Sequence, residues 1–309
     1  MEKTVGSTAV LIPCYNEALT ITKVVGDFQR ELPDATIYVF DNNSTDGTAD
    51  LARAAGAVVL REPWQGKGYV VASMFEKVDA DYYVMVDGDD TYEVERARTL
   101  LAPVIAGEAD MVVGARLAHF GDESFRHLHV LGNNMVRWLV NKIFGTHLTD
   151  IMSGYRAFNR EVVRRIPLVS AGFEIETEMT IQMLYYRRRI LEIQTVYRGR
   201  PEGSYSKLNT FRDGFRVLWK IFTLFRAFKP LTFFGSVAIL FFLLGLLAGI
   251  PPLYDYFSDP NHYVRHVPLA ILATGLMILS AGCVFLGVLV HAINWRIMEL
   301  QNLLVRRRQ

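Results

Sequence analysis

Two stretches of this 309-residue chain carry no charged side chain: Leu231 to Ile250, twenty residues, and Val267 to Val290, twenty-four. An apolar helix needs about 20 residues to cross the hydrocarbon of a bilayer, so both are long enough to span it. They divide the chain into a mixed N-terminal part and an apolar C-terminal hairpin. Pro251-Pro252 is expected to close the first span. The connection from Pro251 to His266 is polar and aromatic, with Tyr254, Tyr256, Phe257 and Tyr263 suited to a membrane interface. Basic residues flank the hairpin outside its ends: Arg212, Arg216, Lys220, Arg226 and Lys229 before it, Arg296, Arg306, Arg307 and Arg308 after it. The connection holds only Arg265 and two histidines. The positive-inside rule then places both termini and the N-terminal part in the cytoplasm.

The hydrophobic fraction of 51% is high because of residues after 230, and the net charge of +1 argues against a nucleic-acid binder. Two cysteines, Cys14 and Cys283, are too few and too differently placed to form a disulfide framework. Met1 to Thr8 is short and polar, so no signal peptide is expected.

The first 200 residues alternate strand-like and helix-like runs. Ala9 to Ile12 reads as a buried strand ending at Pro13. Glu17 to Leu32 has helical spacing, with Ile21, Val24, Val25 and Phe28 on one face. Thr36 to Phe40 is a second strand, Thr48 to Ala55 a helix, Val58 to Leu60 a short strand, and Gly68 to Val78 a helix. A strand at 82–86, a helix around Val94 to Ala106 and a strand at Met111 to Val113 follow. Repeated βα units imply an α/β domain with a mostly parallel sheet and helices on both faces.

The run Tyr82 to Val86 leads directly into Asp87-Gly88-Asp89. In an open α/β sheet, ligands bind at the carboxyl ends of the strands, and there Gly88 lets two carboxylates converge. Such a pair suits Mg²⁺ or Mn²⁺, which combine carboxylates with the oxygens of a diphosphate. No G-x-x-x-x-G-K-[ST] occurs, and Gly66-Lys67-Gly68 fails as a dinucleotide fingerprint because Val71 takes the last glycine position. Three polar strand ends stand out instead: Pro13-Cys14-Tyr15-Asn16-Glu17, Asp41-Asn42-Asn43-Ser44, and Asp87-Gly88-Asp89. Carboxylates at the first two can accept hydrogen bonds from a base and a ribose, while the third holds a metal against a diphosphate.

These pieces closely resemble family-2 inverting glycosyltransferases of the GT-A fold, specifically the group acting on polyprenyl phosphates. The match includes Ile12 to Glu17, Asp41 to Thr48, Gly66 to Gly68, Asp87 to Asp89, Gly114 to Arg116, Asp150 to Phe158, Phe173 to Glu176 and Arg200 to Leu208. The paired C-terminal spans look like those of bacterial membrane-anchored members. At Thr91 some members carry a glutamine that helps the metal, which puts a third protein ligand in doubt. The resemblance implies transfer of a hexose from a nucleotide diphosphate sugar, UDP-glucose or a related one, to polyprenyl phosphate. It implies Asp89, Arg116 and Asp150 as catalytic residues and Asp87 and Asp89 as metal ligands. Pro13, Tyr15, Asn16, Glu17, Asp41, Asn43, Ser44, Gly66, Lys67, Asp87, Gly88, Glu176, Arg200, Ser204 and Lys207 would bind the nucleotide sugar.

For Asp150 a base near the acceptor and a cap for the loop to Ser153-Gly154 are both open, as are sugar binding and helix capping for Glu174 and Glu176. Arg126, Asn134 and Arg137, ahead of the membrane-facing segments, are candidates for the acceptor phosphate. Asn134 to Trp138 is similar to the Q-x-x-R-W of processive polysaccharide synthases, but asparagine replaces glutamine and two spans are too few for a polymer channel. Leu131 to Phe144 and Phe211 to Phe228 read as amphipathic helices at the membrane surface. In the second, Phe215, Leu218, Trp219, Phe222 and Phe225 form the apolar face. The expected organisation is a cytoplasmic catalytic domain over residues 1–210, an interfacial helix over 211–229, two spans over 230–293 and a basic tail over 294–309. A homo-oligomer is possible. The alternatives are a glycosyltransferase acting on another membrane lipid, such as a diacylglycerol, and a non-catalytic scaffold.

Overall fold

The computed structural model describes residues 6–117, 126–201, 203, 205, 207 and 210–306. Among these, the N-terminal unit is built on a seven-stranded sheet. Its strands are β1 (Thr8–Cys14), β2 (Thr36–Asp41), β3 (Val58–Arg61), β4 (Tyr82–Met85), β5 (Met111–Leu117), β6 (Arg156–Asn159) and β7 (Ile190–Val196). The spatial order is β3-β2-β1-β4-β6-β5-β7. Six of the described strands run parallel; β6 runs against both its neighbours, pairing Met85 with Arg156 on one side and Val113 with Arg156 on the other. The mostly parallel α/β sheet expected from the sequence is therefore present, with one reversed strand that the repeating units did not announce.

Period-two alternation sorts the strand residues onto two faces. Val10, Ile12, Val39, Val84 and Val112 pack with Ile21, Val25 and Phe28 of α1 (Ile21–Glu31), Ala52 of α2 (Thr48–Ala54) and Leu100. Ala9, Leu11, Phe40, Tyr83, Met85 and Val113 point the other way. They pack with Val70 and Met74 of α3 (Lys67–Lys77) and the helices later in the chain. Leu100 belongs to α4 (Ala97–Ile105). Both faces are dry at the centre of the sheet, so β1 and β4 read as nearly unbroken apolar runs, as doubly covered parallel strands should. Emptying one such site, as in Phe28→Ala, costs about 3–5 kcal/mol.

Then come α5 (Arg126–Phe144), α6 (Arg160–Arg165), α7 (Ile175–Tyr185) and α8 (Thr210–Phe228). The described chain ends in α9 (Pro230–Ser258) and α10 (Val267–Arg306). The first compact unit closes at Ile221 and the second begins at Phe222, inside α8. In the second, α9 and α10 are long and apolar enough to span a membrane, and only 11% of each apolar window is buried. They pack at small residues: Ser280 Oγ donates to the Ala238 carbonyl at 2.8 Å, and a Cβ on Gly245 would lie 3.3 Å from the Ala273 carbonyl oxygen.

One expectation about the hairpin is corrected, and both helices outrun the uncharged stretches. Pro251 and Pro252 do not end the first helix; they lie inside α9, which continues to Ser258. Proline removes one donor and crowds the carbonyl four residues back, a defect that apolar, membrane-type helices tolerate. The second helix also passes Val290 and runs to Arg306. On α8, Val217, Ile221 and Leu224 are buried while Phe215, Trp219 and Phe222 are exposed, so the aromatic stripe is a second apolar face distinct from the packed one.

Candidate active site

The register brings the three polar strand ends to one edge: Cys14 stands beside Asp41, and Leu11 beside Met85, two residues before Asp87. The first two ends are stapled. The Asn16 N–H donates to Ser44 Oγ at 2.9 Å, and Asn16 Oδ1 accepts the Thr45 N–H at 2.8 Å. Asn16 and Asn43 hold φ of 53° and 64°, a left-handed backbone that asparagine tolerates. Asp41 is buried, its carboxylate accepting the Ser44 N–H at 3.3 Å. Pro13 is the penultimate residue of β1, which ends at Cys14, and Tyr15 stands 38% exposed beside this edge.

Asn42, unlike its neighbours, has no site role in the sequence reading, yet it organises the next loop. Its side-chain amide donates to the carbonyls of Glu62 and Trp64, and its oxygen accepts the Gly66 N–H at 2.8 Å. The signal available was a third polar residue at a strand end, which by itself does not tell a ligand from a brace.

Each carboxylate of the Asp87-Gly88-Asp89 turn faces a cation. Lys67 Nζ lies 2.6 Å from Asp87 and 2.5 Å from Glu176, and 5.9 Å over the Phe173 ring. Burial alone would lower the Lys67 pKa, but the charges of Asp87 and Glu176 outweigh it and hold the ammonium well above its usual range. Arg200 Nη2 lies 2.5 Å from Asp89, and Thr91 Oγ1 donates to the other Asp89 oxygen at 2.6 Å. Burial and the Asp87 charge push the Asp89 carboxyl upward despite Arg200. The Gly88 carbonyl is fixed by Thr20 Oγ1 at 2.6 Å. Lys207 Nζ donates to Glu17 Oε1 at 2.6 Å and to the Asn16 carbonyl at 2.8 Å, and Arg200 stands 3.7 Å from Glu17. The segment after β7 thus returns over the β1 and β4 ends.

At the end of β5, Arg116 grips Asp150 with Nε at 2.7 Å and Nη2 at 2.9 Å, and its backbone N–H adds a third bond at 3.1 Å. Met152 N–H donates a fourth. Burial would raise the Asp150 pKa, but the Arg116 guanidinium more than offsets this and holds it below the usual carboxylate range. Tyr197 lies 5.4 Å beneath the guanidinium, and Tyr92 meets Tyr197 edge-on while its hydroxyl accepts the Gly154 N–H at 3.0 Å. Gly154 leaves room for Asp87: a Cβ there would fall 2.6 Å from Asp87 Oδ2. This aromatic box was not read from the sequence, where its tyrosines look like core.

Nearly all the nucleotide-sugar candidates therefore gather at one edge. Glu174 stands at the start of α7, its carboxylate accepting the Gly172 N–H at 3.2 Å, whereas Glu176 turns to Lys67. Ser204 and the Arg126 side chain lie outside the described residues. Asn134 is exposed and Arg137 half-buried on α5; among the described residues neither bonds to the carboxylate cluster.

Residues 9–166 match the family model for glycosyl transferase family 2. The chain belongs to that family. It is 35% identical over 279 residues to glycosyltransferase AglJ of Haloferax volcanii, covering 89% of this chain and 91% of AglJ. It is 30% identical over 213 residues to a dolichyl-phosphate hexose transferase of the same organism, covering 69% and 91%. Its fold is similar to that of the Mycobacterium tuberculosis glucosyl-3-phosphoglycerate synthase solved with Mn²⁺ and UDP-glucose. There the TM-score is 0.58 at 20% identity, covering 71% of this chain and 80% of that one.

The family-2 fold implies a divalent cation, and Asp87 and Asp89 fit one. They are hard oxygen donors, Gly154 gives one of them space, and burial together with the Asp87 charge raises the Asp89 pKa. Among the described residues no cluster of three or more His, Cys, Asp or Glu could hold a metal. Two protein carboxylates leave positions for diphosphate oxygens and water, the arrangement Mg²⁺ or Mn²⁺ takes with nucleotides.

Proposed function

We propose that this family-2 enzyme transfers a hexose, with inversion, from a nucleotide diphosphate sugar to a polyprenyl phosphate, yielding a lipid-linked monosaccharide. The observation that carries the reading is the locked pair Arg116 and Asp150. The carboxylate that could have served as a base is held ionised and engaged by four donors, which disfavours it as a proton acceptor and favours an acceptor that arrives already ionised. An alcohol acceptor must lose a proton as it attacks. A phosphate monoester has its second pKa near ~6 and is already largely a dianion at neutral pH. The relatives' names and the two apolar helices support a lipid phosphate as acceptor; UDP-glucose or a related UDP-hexose is the donor we expect from the sequence resemblance.

In this reading Asp41, Asn43 and Ser44, with Tyr15, receive the base and ribose. Asp87 and Asp89 would hold Mg²⁺ or Mn²⁺, which supplies neutralisation of the diphosphate as it leaves. Lys67, Arg200 and Lys207 exchange their carboxylate partners for phosphate oxygens, and Thr91 keeps Asp89 aimed. Arg116, stacked over Tyr197, and Arg126, Asn134 and Arg137 hold the acceptor phosphate. One acceptor oxygen forms a bond to the anomeric carbon as the bond to the diphosphate oxygen breaks, and no proton has to move. Cations offset the repulsion between two anionic substrates.

The test is incubation of the purified full-length protein with undecaprenyl or dolichyl phosphate, or diacylglycerol, and a panel of UDP- and GDP-sugars. The lipid product is then identified by mass spectrometry. A polyprenyl phosphohexose is the expected product; glycosylated diacylglycerol alone overturns the acceptor assignment.

A further inference from the structure

A second buried ion pair, unused by the chemistry above, lies just behind the donor carboxylates. Glu178 sits two residues after Glu176 on α7 and is fully buried. One of its oxygens accepts the backbone N–H groups of Ser170 at 2.7 Å and Val169 at 3.3 Å. The other takes the Gln182 side-chain amide at 3.2 Å and Lys220 Nζ of α8 at 3.3 Å.

The backbone that Glu178 holds is the wall against which the Lys67 turn is built. The Gly68 N–H donates to the Ala171 carbonyl at 3.0 Å. A Cβ on Gly66 would fall 2.2 Å from the Ala171 oxygen, and one on Gly68 1.9 Å from the Ser170 oxygen. Only glycine fits at both positions, so the 66–68 turn packs directly against the 170–171 backbone, and a shift of one is felt by the other. Lys67, between the two glycines, is fixed at its tip by Asp87 and Glu176. A continuous chain of contacts therefore leads from Lys220 through Glu178 and the 170–171 backbone to Lys67. Removing Lys220 would leave Glu178 a buried carboxylate without its cation, which must take up a proton or turn toward water. Either change loosens the two amides it holds.

We propose that Lys220 and Glu178 form a clamp through which α8, the helix leading toward the first apolar span, sets the position of Lys67 and thereby the affinity for the donor diphosphate. Both are positioning residues, acting through the loop at 169–171. The proposal rests on the reading of Lys67 as a diphosphate ligand, and the controls separate the two ideas.

The experiment measures Mn²⁺-dependent binding of UDP and GDP by calorimetry on the full-length protein in detergent micelles, with thermal melts run in parallel. Lys67→Met should weaken binding of the preferred nucleotide. Lys220→Met and Glu178→Gln should weaken it by roughly three- to thirtyfold, the range over which residues relaying between sites change affinity. Lys220→Arg should restore it. In the Lys67→Met background, Lys220→Met should add nothing, because its effect runs through Lys67; a general loosening of the fold would instead add independently. If Lys67→Met weakens binding and Lys220→Met does not, the clamp is wrong and the donor reading stands. If Lys220→Met lowers Tm with unchanged affinity, or adds fully to Lys67→Met, the clamp is likewise overturned. Unchanged affinity in Lys67→Met, or no binding of either nucleotide by the wild type, overturns the donor reading and the clamp together. Should Lys220→Met not fold, Glu178→Gln with the Lys67→Met double variant gives the same decision.

Discussion

Lys207 reaches back across 190 residues of chain to place its ammonium 2.6 Å from the Glu17 carboxylate. Burial raises the Glu17 pKa, and Lys207 and Arg200 counter that rise, so the first strand end is completed by cations from the segment after the last strand. A phosphate arriving here would find a lysine already close by and already paired with one carboxylate. Lys207→Ala should weaken donor binding by about ten- to a hundredfold, the cost of one charge-assisted phosphate contact, and leave acceptor KM nearly unchanged. Arg137→Ala, on α5, should show the reverse. Steady-state kinetics with each substrate varied in turn check both, and a donor defect in Arg137→Ala would relocate the acceptor site.

Asp150 makes an opposite demand on pH. Its folded pKa is depressed, so its contribution to stability is present above the ordinary carboxylate value near ~3.9 and is lost only as pH falls through the lower folded value. Asp150→Asn should therefore destabilise the fold by about 3–5 kcal/mol, since it leaves Arg116 without its charge partner. That deficit should stay constant from pH 8 to 5 and shrink below pH 4. The rate should fall with the shape of its pH profile between 5.5 and 8.5 unchanged. Loss of a titrating limb in that window, seen in the variant's pH–rate curve, would return Asp150 to the role of base.

Removal of the metal should act through Asp89. Asp89→Ala is expected to lower transfer by about a thousandfold or more, several kcal/mol of charge stabilisation, with little change in Tm. A chelator should silence the wild type, and Mg²⁺ or Mn²⁺ should restore it. Full turnover in excess chelator would rule out a metal-held diphosphate.

The hairpin predicts which side of the membrane each end meets. A cysteine at Ser258, the last residue of α9, should be labelled by an impermeant maleimide added outside intact cells, and one at Gln309 should not. The opposite pattern would put the catalytic unit on the wrong side for cytoplasmic nucleotide sugars.

Much of the site was legible because its signals are local. A β-rich run ending in Asp87-Gly88-Asp89 announces both the strand and the chemistry at its end. The same holds for Pro13 to Glu17 and Asp41 to Ser44. What stayed hidden depends on partners far along the chain. The pairing of Asp150 with Arg116, 34 residues earlier, is what favours a brace over a base in the proposed reading, and sequence spacing does not report that contact. β6 escaped notice because its four residues, Arg156 to Asn159, begin with a fully buried arginine. That guanidinium is satisfied by the carbonyls of Ile151 and Ser153 and by Thr180, so it breaks the apolar pattern by which a central strand is recognised. Pro251-Pro252 misled in the other direction: a stop signal in a water-soluble helix is tolerated in an apolar one.

The reversed direction of β6 has a consequence for how such a chain can diversify. β5 leaves the sheet at Leu117 on the edge where the ligand candidates gather, and the chain re-enters through Arg156 on that same edge. The stretch between them departs and returns at a single side, like a cassette in a slot. A change of length within it need not slide any strand against its neighbour, although Asp150 to Tyr155 stay tied to Arg116, Asp87 and the core. In the proposed reading, changes of acceptor accumulate there, while the donor candidates Asp41, Lys67, Asp87 and Asp89 stay fixed by parallel strands and their turns.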